Sequence, residues 1–234
     1  MDIIEWLKYS PLLIIILSFV FIFPLSLKAQ AIYKNVPDQV DVRAKYLFFL
    51  HGQIVENQGL RPTSPRFGVY EYQKILETFK SKGFIVISEA RPKNTDIWKY
   101  SQKVKAQVAK LLSAGVSPSN IIIVGASKGG AIAILASSAL KNKELNFVLI
   151  ASCSQMFIQS LISRGVYLWG NVLSIYDSSD QWAGSCQKLL EASSSQNLGR
   201  YKEIKLNLEL GHGFHFRPLP EWIDPVVEWA KRQK

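Results

Sequence analysis

Three histidines and two cysteines are all the imidazole and thiolate metal ligands this chain of 234 residues contains. A zinc site needs three or four ligands that converge on one point, and no His-Glu-x-x-His sequence is present. His212-x-x-His215 with Glu209 imitates a ligand set, but it is too poor in histidine for a metal to be expected. The nucleotide-phosphate loop is missing as well, because Gly125 to Ser127 is not followed by Gly-Lys-Ser/Thr. No segment repeats at the spacing of solenoid units, and no low-complexity tract occurs. Basic residues never form a long run, and no nucleic-acid-binding motif is found. The formal net charge of +10 is therefore read as a solvated basic surface, with weak attraction to an anionic membrane surface and none specific for nucleic acid. Nothing in the pattern specifies an oligomeric state.

What is present is a globular composition, 48% hydrophobic and 20% charged. Residues 1–31 stand apart. Leu12 to Phe23 is apolar apart from Ser18, and Pro24, Lys28 and Ala29-Gln30-Ala31 follow. A short apolar core before small residues suits a secretory signal peptide, cut after Ala29 or Ala31. The polar lead fits less well, since Asp2 and Glu5 cancel Lys8. Left uncut, residues 9–27 are long enough to anchor the chain in a bilayer. Either way the chain is expected to be exported: periplasmic or secreted if cut, membrane-anchored if not. Residues 32–42 then read as a linker and residues 43–234 as one domain.

Within that domain, short apolar runs alternate with helical ones. Tyr46–Leu50, Phe84–Ser88, Ile121–Val124, Phe147–Ala151 and Val172–Tyr176 read as strands, and Tyr201–Leu208 as a half-exposed one. Helical periodicity covers Tyr70–Lys82, Asp96–Leu112, Gly129–Leu140 and Pro218–Lys234. Continuous apolar strands separated by helices signal a parallel sheet covered on both faces. The fold class is α/β, a doubly wound, mostly parallel sheet of about six strands. Ligands in such sheets sit beyond the carboxyl ends of the strands.

Gly125-Ala126-Ser127-Lys128-Gly129 matches G-x-S-x-G and falls between a strand and a helix. Such a serine is pushed out on a sharp turn, where only glycine fits two positions before and after it. From about Tyr46 to the C-terminus the chain resembles the α/β-hydrolase superfamily, in particular its small, lidless serine esterases and thioesterases. The resemblance implies that Ser127 is a nucleophile and that an acid and a histidine follow later strands in that order. Asp177-Ser178-Ser179-Asp180 follows one such strand, and Glu209 to His215 follows the last. Similar hydrolases set the acid a few residues beyond the strand, which favours Asp180 over Asp177. The glycine-flanked His212 resembles the family's GHG turn and is favoured over His215. The resemblance also implies an oxyanion hole built from the amides of Gln53 and Lys128, with His51 structural. The implied reaction is hydrolysis of a small-molecule carboxylic ester or thioester through an acyl-enzyme, without a cofactor. A peptidase or acyltransferase would use the same residues, and a non-catalytic binding protein would keep the fold alone.

Three further readings belong with this one. The side chain of Lys128 is expected to reach water, and Arg61, Arg66, Arg91 and Lys93 to lie on the surface near strand ends. Only a short connection is expected between the Ala151 and Val172 strands, so the site should be open. Cys153 falls just after the Phe147–Ala151 strand and Cys186 just after the Asp180 loop; if the two strands are neighbours the thiols pair and hold that loop, the alternative being two free buried thiols.

Overall fold

The sheet follows from the period of its strands. In the computed structural model, which describes residues 32–193 and 197–231, strands β1 (Ile32–Tyr33), β2 (Lys45–Leu50), β5 (Phe84–Ile87), β6 (Ile121–Ala126), β7 (Asn146–Ile150), β8 (Gly170–Asp177) and β9 (Leu198–Leu206) form one sheet. Their order is β1-β5-β2-β6-β7-β8-β9, and every pairing is parallel. Side chains alternate between two cores. Tyr46, Phe48, Ile121, Ile123, Phe147 and Leu149 enter one. Leu47, Phe49, Ile122, Val124, Val148 and Ile150 enter the other. Because both faces are buried, these strands read as unbroken apolar runs.

Helices close the two faces. α3 (Ile97–Ser113) and α4 (Lys128–Leu140) cover the first, with Val104, Val108 and Leu111 buried from α3. α2 (Tyr72–Ser81) and the C-terminal α7 (Pro220–Lys231) cover the second through Ile75, Phe79, Trp222 and Val226. Local signals set the ends of α3. The Asp96 carboxylate accepts the Lys99 amide at 2.8 Å as an N-cap, and Gly115 follows in the left-handed region at φ 92°. Between β2 and α2 lie a short helix, α1 (Gln53–Gln58), and an antiparallel pair, β3 (Thr63–Ser64) with β4 (Gly68–Val69).

Ile32–Tyr33 pairs with Val86–Ile87, so the sheet, with seven strands where about six were expected, takes in the first two residues of the segment read as a linker. Two residues are too few to show a period. The connection between β7 and β8 is also not the short one expected, because it contains α5 (Gln155–Ser163). That helix buries Ile158 and Leu161 in the first core, so it is part of a helical layer. The signal-peptide or anchor reading of residues 1–31 lies outside the described residues. Among the described residues, no helix is long and apolar enough to cross a membrane.

β7 and β8 are neighbours, and Cys153 and Cys186 are joined by a disulfide with Cα atoms 5.2 Å apart. Both cysteines are buried. The Gly184 amide donates to the Cys153 carbonyl at 3.0 Å, so the same two segments also touch through backbone. α6 (Gln187–Ala192) starts immediately after Cys186. The closed loop spans 33 residues of sequence separation, and chain entropy assigns such a bridge roughly 3–4 kcal/mol. Replacing both cysteines by serine should therefore lower the melting temperature by about 10 °C, read by circular dichroism. An unchanged melting temperature would mean that the bridge adds nothing to the loop's own contacts.

Candidate active site

The turn at Ser127 is built by close approach. Ser127 has φ 53° and ψ −120°, a left-handed backbone that a side chain adopts only under constraint. The constraint is visible on both sides. A Cβ at Gly125 would lie 2.3 Å from the Gly129 carbonyl oxygen, and one at Gly129 would lie 1.8 Å from the Leu50 carbonyl oxygen. Glycine at both positions lets α4 begin directly against the end of β2. The Ser127 amide donates to Ile150 at 2.8 Å, which fixes the turn to β7 as well.

His212 and Asp180 meet this serine. The His212 ring nitrogens lie 2.9 Å (Nε2) from Ser127 Oγ and 2.8 Å (Nδ1) from Asp180 Oδ2. A carboxylate only accepts, so Nδ1 carries the proton and Nε2 accepts from the hydroxyl. The Asp180 side chain is fully buried, and its other oxygen accepts the amides of Trp182 at 2.8 Å and Ala183 at 3.1 Å. The Trp182 indole packs over His212 with ring centroids 5.1 Å apart. Such an arrangement can accept a proton from the serine and hold the resulting imidazolium.

Asp177 and His215 occupy different places. Asp177 is buried at the end of β8, and its carboxylate hydrogen-bonds to groups other than histidine. Its carboxylate accepts the Ser179 amide and hydroxyl and, from the other side, the Leu208 amide at 2.8 Å. Ser179 Oγ in turn accepts the Gly211 amide at 2.9 Å. Asp177 thus ties the acid-bearing loop to the histidine-bearing one. His215 is buried edge-on to His212, centroids 5.2 Å apart, and neither ring nitrogen has a hydrogen-bond partner among the described residues.

The amides of Gln53 and Lys128 are each the first of a helix, where no preceding carbonyl of that helix can accept them. The two turns abut: a Cβ at Gly52 would stand 3.6 Å from Ser127 Cβ. His51 is buried at the base of this corner. Its Nε2 accepts the Arg91 amide at 2.9 Å, so Nδ1 donates to the Gly52 carbonyl at 2.8 Å.

The charged neighbours differ from expectation. Lys128 does not simply reach water; its Nζ lies 2.6 Å from Glu56 Oε2, with the side chain 15% exposed. Arg91 is not a surface residue. Its fully buried guanidinium pairs with the fully buried Glu56 at 2.8 Å and donates to the His51 carbonyl. Sequence reasoning missed Glu56, because an acid on a six-residue helix gives no sign that it is buried. Arg66, in contrast, lies over Phe67 and Trp182 at the rim. A cavity of about 410 Å³ there is lined by Arg66, Phe67, Gly211 and Arg217. A second, of about 670 Å³, lies on the other side of the Asp180 loop against Met156 and Trp182, both exposed. Among the described residues, no group of three His, Cys, Asp or Glu is placed to hold a metal.

Comparison with known proteins bears on the fold that carries this site. Residues 85–181 match the family described as phospholipase/carboxylesterase. A mutant of the esterase E40 superposes with a TM-score of 0.57 at 16% identity, covering 80% of this chain and 75% of that one. Esterase PE8 gives 0.52 at 13% identity, over 85% and 98% of the two chains. SOBER1 of Arabidopsis thaliana gives 0.50 at 14% identity, over 81% and 100%. At these identities the likeness is one of fold. No curated protein sequence matches the chain.

Both buried imidazoles make stability depend on pH. Burial and the adjacent Arg91 push His51 down to about 3, and burial with His212 alongside pushes His215 well below 6.5. Unfolding returns both to about 6.5, so the unfolded chain binds more protons below that value. Their stabilisation is complete above about pH 6.5 and is lost as the pH falls toward 3. Denaturant titrations between about pH 7 and pH 5 should show stability falling, with up to about two protons taken up on unfolding. His215→Leu should remove about one of them, and an unaltered slope in that variant would contradict a neutral His215.

Proposed function

We propose that this member of the α/β-hydrolase superfamily is a serine hydrolase that cleaves a carboxylic ester or thioester through an acyl-enzyme on Ser127. The observation that carries the reading is the hydrogen-bonded line from Asp180 through His212 to the Ser127 hydroxyl, 2.8 and 2.9 Å in its two links. Nε2 of His212 takes the hydroxyl proton as Oγ attacks the carbonyl carbon. Asp180 holds the tautomer and stabilises the imidazolium. The tetrahedral oxyanion is received by the amides of Gln53 and Lys128, each such donor contributing on the order of 3–4 kcal/mol to the barrier. Collapse breaks the bond to the alcohol or thiol, which leaves with the proton from His212. Water, deprotonated by the same nitrogen, then hydrolyses the acyl-enzyme. The exposed Trp182 and Met156 give an apolar part of the substrate a surface to cover.

Export belongs to the same proposal. An apolar N-terminal segment and a disulfide between the molecule's only cysteines both suit an oxidising compartment. The basic surface would favour residence near anionic lipid.

Two measurements test these readings. A fluorophosphonate probe should label the native protein and not Ser127→Ala, and turnover of short p-nitrophenyl esters should fall on the order of 10⁴-fold in Asp180→Asn. Labelling or turnover that survives Ser127→Ala would sink the assignment. For export, intact mass of protein from soluble and membrane fractions should show either a chain starting at Gln30 or Ile32, or a full-length chain confined to the membrane. A full-length chain in the cytoplasm would contradict both.

A further inference from the structure

Glu56 is a carboxylate sealed from water with two cations on it. Oε1 accepts from Arg91 Nε at 2.8 Å and Oε2 lies 2.6 Å from Lys128 Nζ. Both the Glu56 and Arg91 side chains are fully buried. The proton relay uses none of the three. Burying charges incurs a desolvation penalty, and such pairs seldom stabilise a fold more than apolar residues of similar size would. Their placement is more telling than their strength. Glu56 rides on α1, whose first residue is Gln53. Lys128 is the first residue of α4. Arg91 follows β5, and it also grips the turn after β2, giving its backbone amide to His51 Nε2 and its guanidinium to the His51 carbonyl. One carboxylate therefore links three strand ends, two of which carry the amides assigned to the oxyanion.

We propose that Glu56 is a positioning residue that sets the separation of the Gln53 and Lys128 amides. Arg91 holds α1 to the His51 turn, and Lys128 is drawn against α1 by the second oxygen of the same carboxylate. The inference rests on the serine-hydrolase reading. Donors held at a fixed spacing favour the tetrahedral oxyanion over the planar carbonyl, so their loss acts on kcat and leaves KM nearly alone.

Lys128→Met is the discriminating variant. It removes the link between α4 and α1 yet leaves the Arg91–Glu56 pair balanced, and the Lys128 backbone amide stays. Lys128→Arg restores a cation able to reach Glu56. Wild type and both variants would be compared in kcat and KM on a p-nitrophenyl ester, in affinity for an aryl boronic acid that forms a tetrahedral adduct on the serine, and in melting temperature. The expected result for Lys128→Met is a drop in kcat of about 10- to 100-fold, with KM within about twofold and boronate affinity weakened in step with kcat. Lys128→Arg should recover most of the loss, and Glu56→Gln should reproduce it together with a lower melting temperature. An unchanged kcat in Lys128→Met, or a loss shared by KM and melting temperature with boronate affinity intact, would overturn the inference while leaving the enzyme reading standing. A wild-type protein without Ser127-dependent turnover or labelling would overturn both.

Discussion

The site depends first on how closely α4 is allowed to approach the end of β2. With no Cβ at Gly129, the helix starts against the Leu50 carbonyl, and with none at Gly125 the chain can reverse from strand to helix within a single residue. That reversal forces Ser127 into a left-handed backbone and turns its hydroxyl away from the core. The same approach brings the turn after β2 against Ser127, so two helix-starting amides come to one corner. A methyl group at either glycine would open the turn and dissolve every later relationship.

The other half of the site is held by polar groups rather than by crowding. Asp177 caps the end of β8 and reaches across to the Leu208 amide beyond β9, while Ser179 reaches to Gly211. Asp180 and His212 therefore ride on two loops that are bonded to each other before they meet the serine. The disulfide attaches the far side of the acid loop to the segment after β7. Two aspartates three residues apart thus do different work, one joining loops and one facing the imidazole. Their environments separate them: Asp177 spends its oxygens on neighbouring amides and a hydroxyl, whereas Asp180 keeps one oxygen for Nδ1.

Much of this was legible in the sequence, for identifiable reasons. β2, β6 and β7 are buried on both faces, so their residues form unbroken apolar runs that no surface strand would show. The serine turn is written in local glycine spacing. What stayed hidden depends on partners far apart in the chain. Glu56 and Arg91 are 35 residues apart and reveal their burial only to each other. β1 is a strand only because β5 is beside it. α5 follows a strand whose exit resembles a loop, and at nine residues it is too short for the helical spacing of Phe157, Ile158, Leu161 and Ile162 to stand out from a connection.

The position of β9 has a consequence for how the molecule fails. Among the described residues it is the last strand of the sheet, paired on one side only, and its residues are largely half-buried or exposed. The loop bearing His212 begins just past its end. Edge elements of this kind open in partial excursions that cost less than global unfolding. Fraying there would carry the imidazole off while the strands at the centre stayed paired, so warming should uncouple proton transfer from structure. The sheet would outlast its own chemistry.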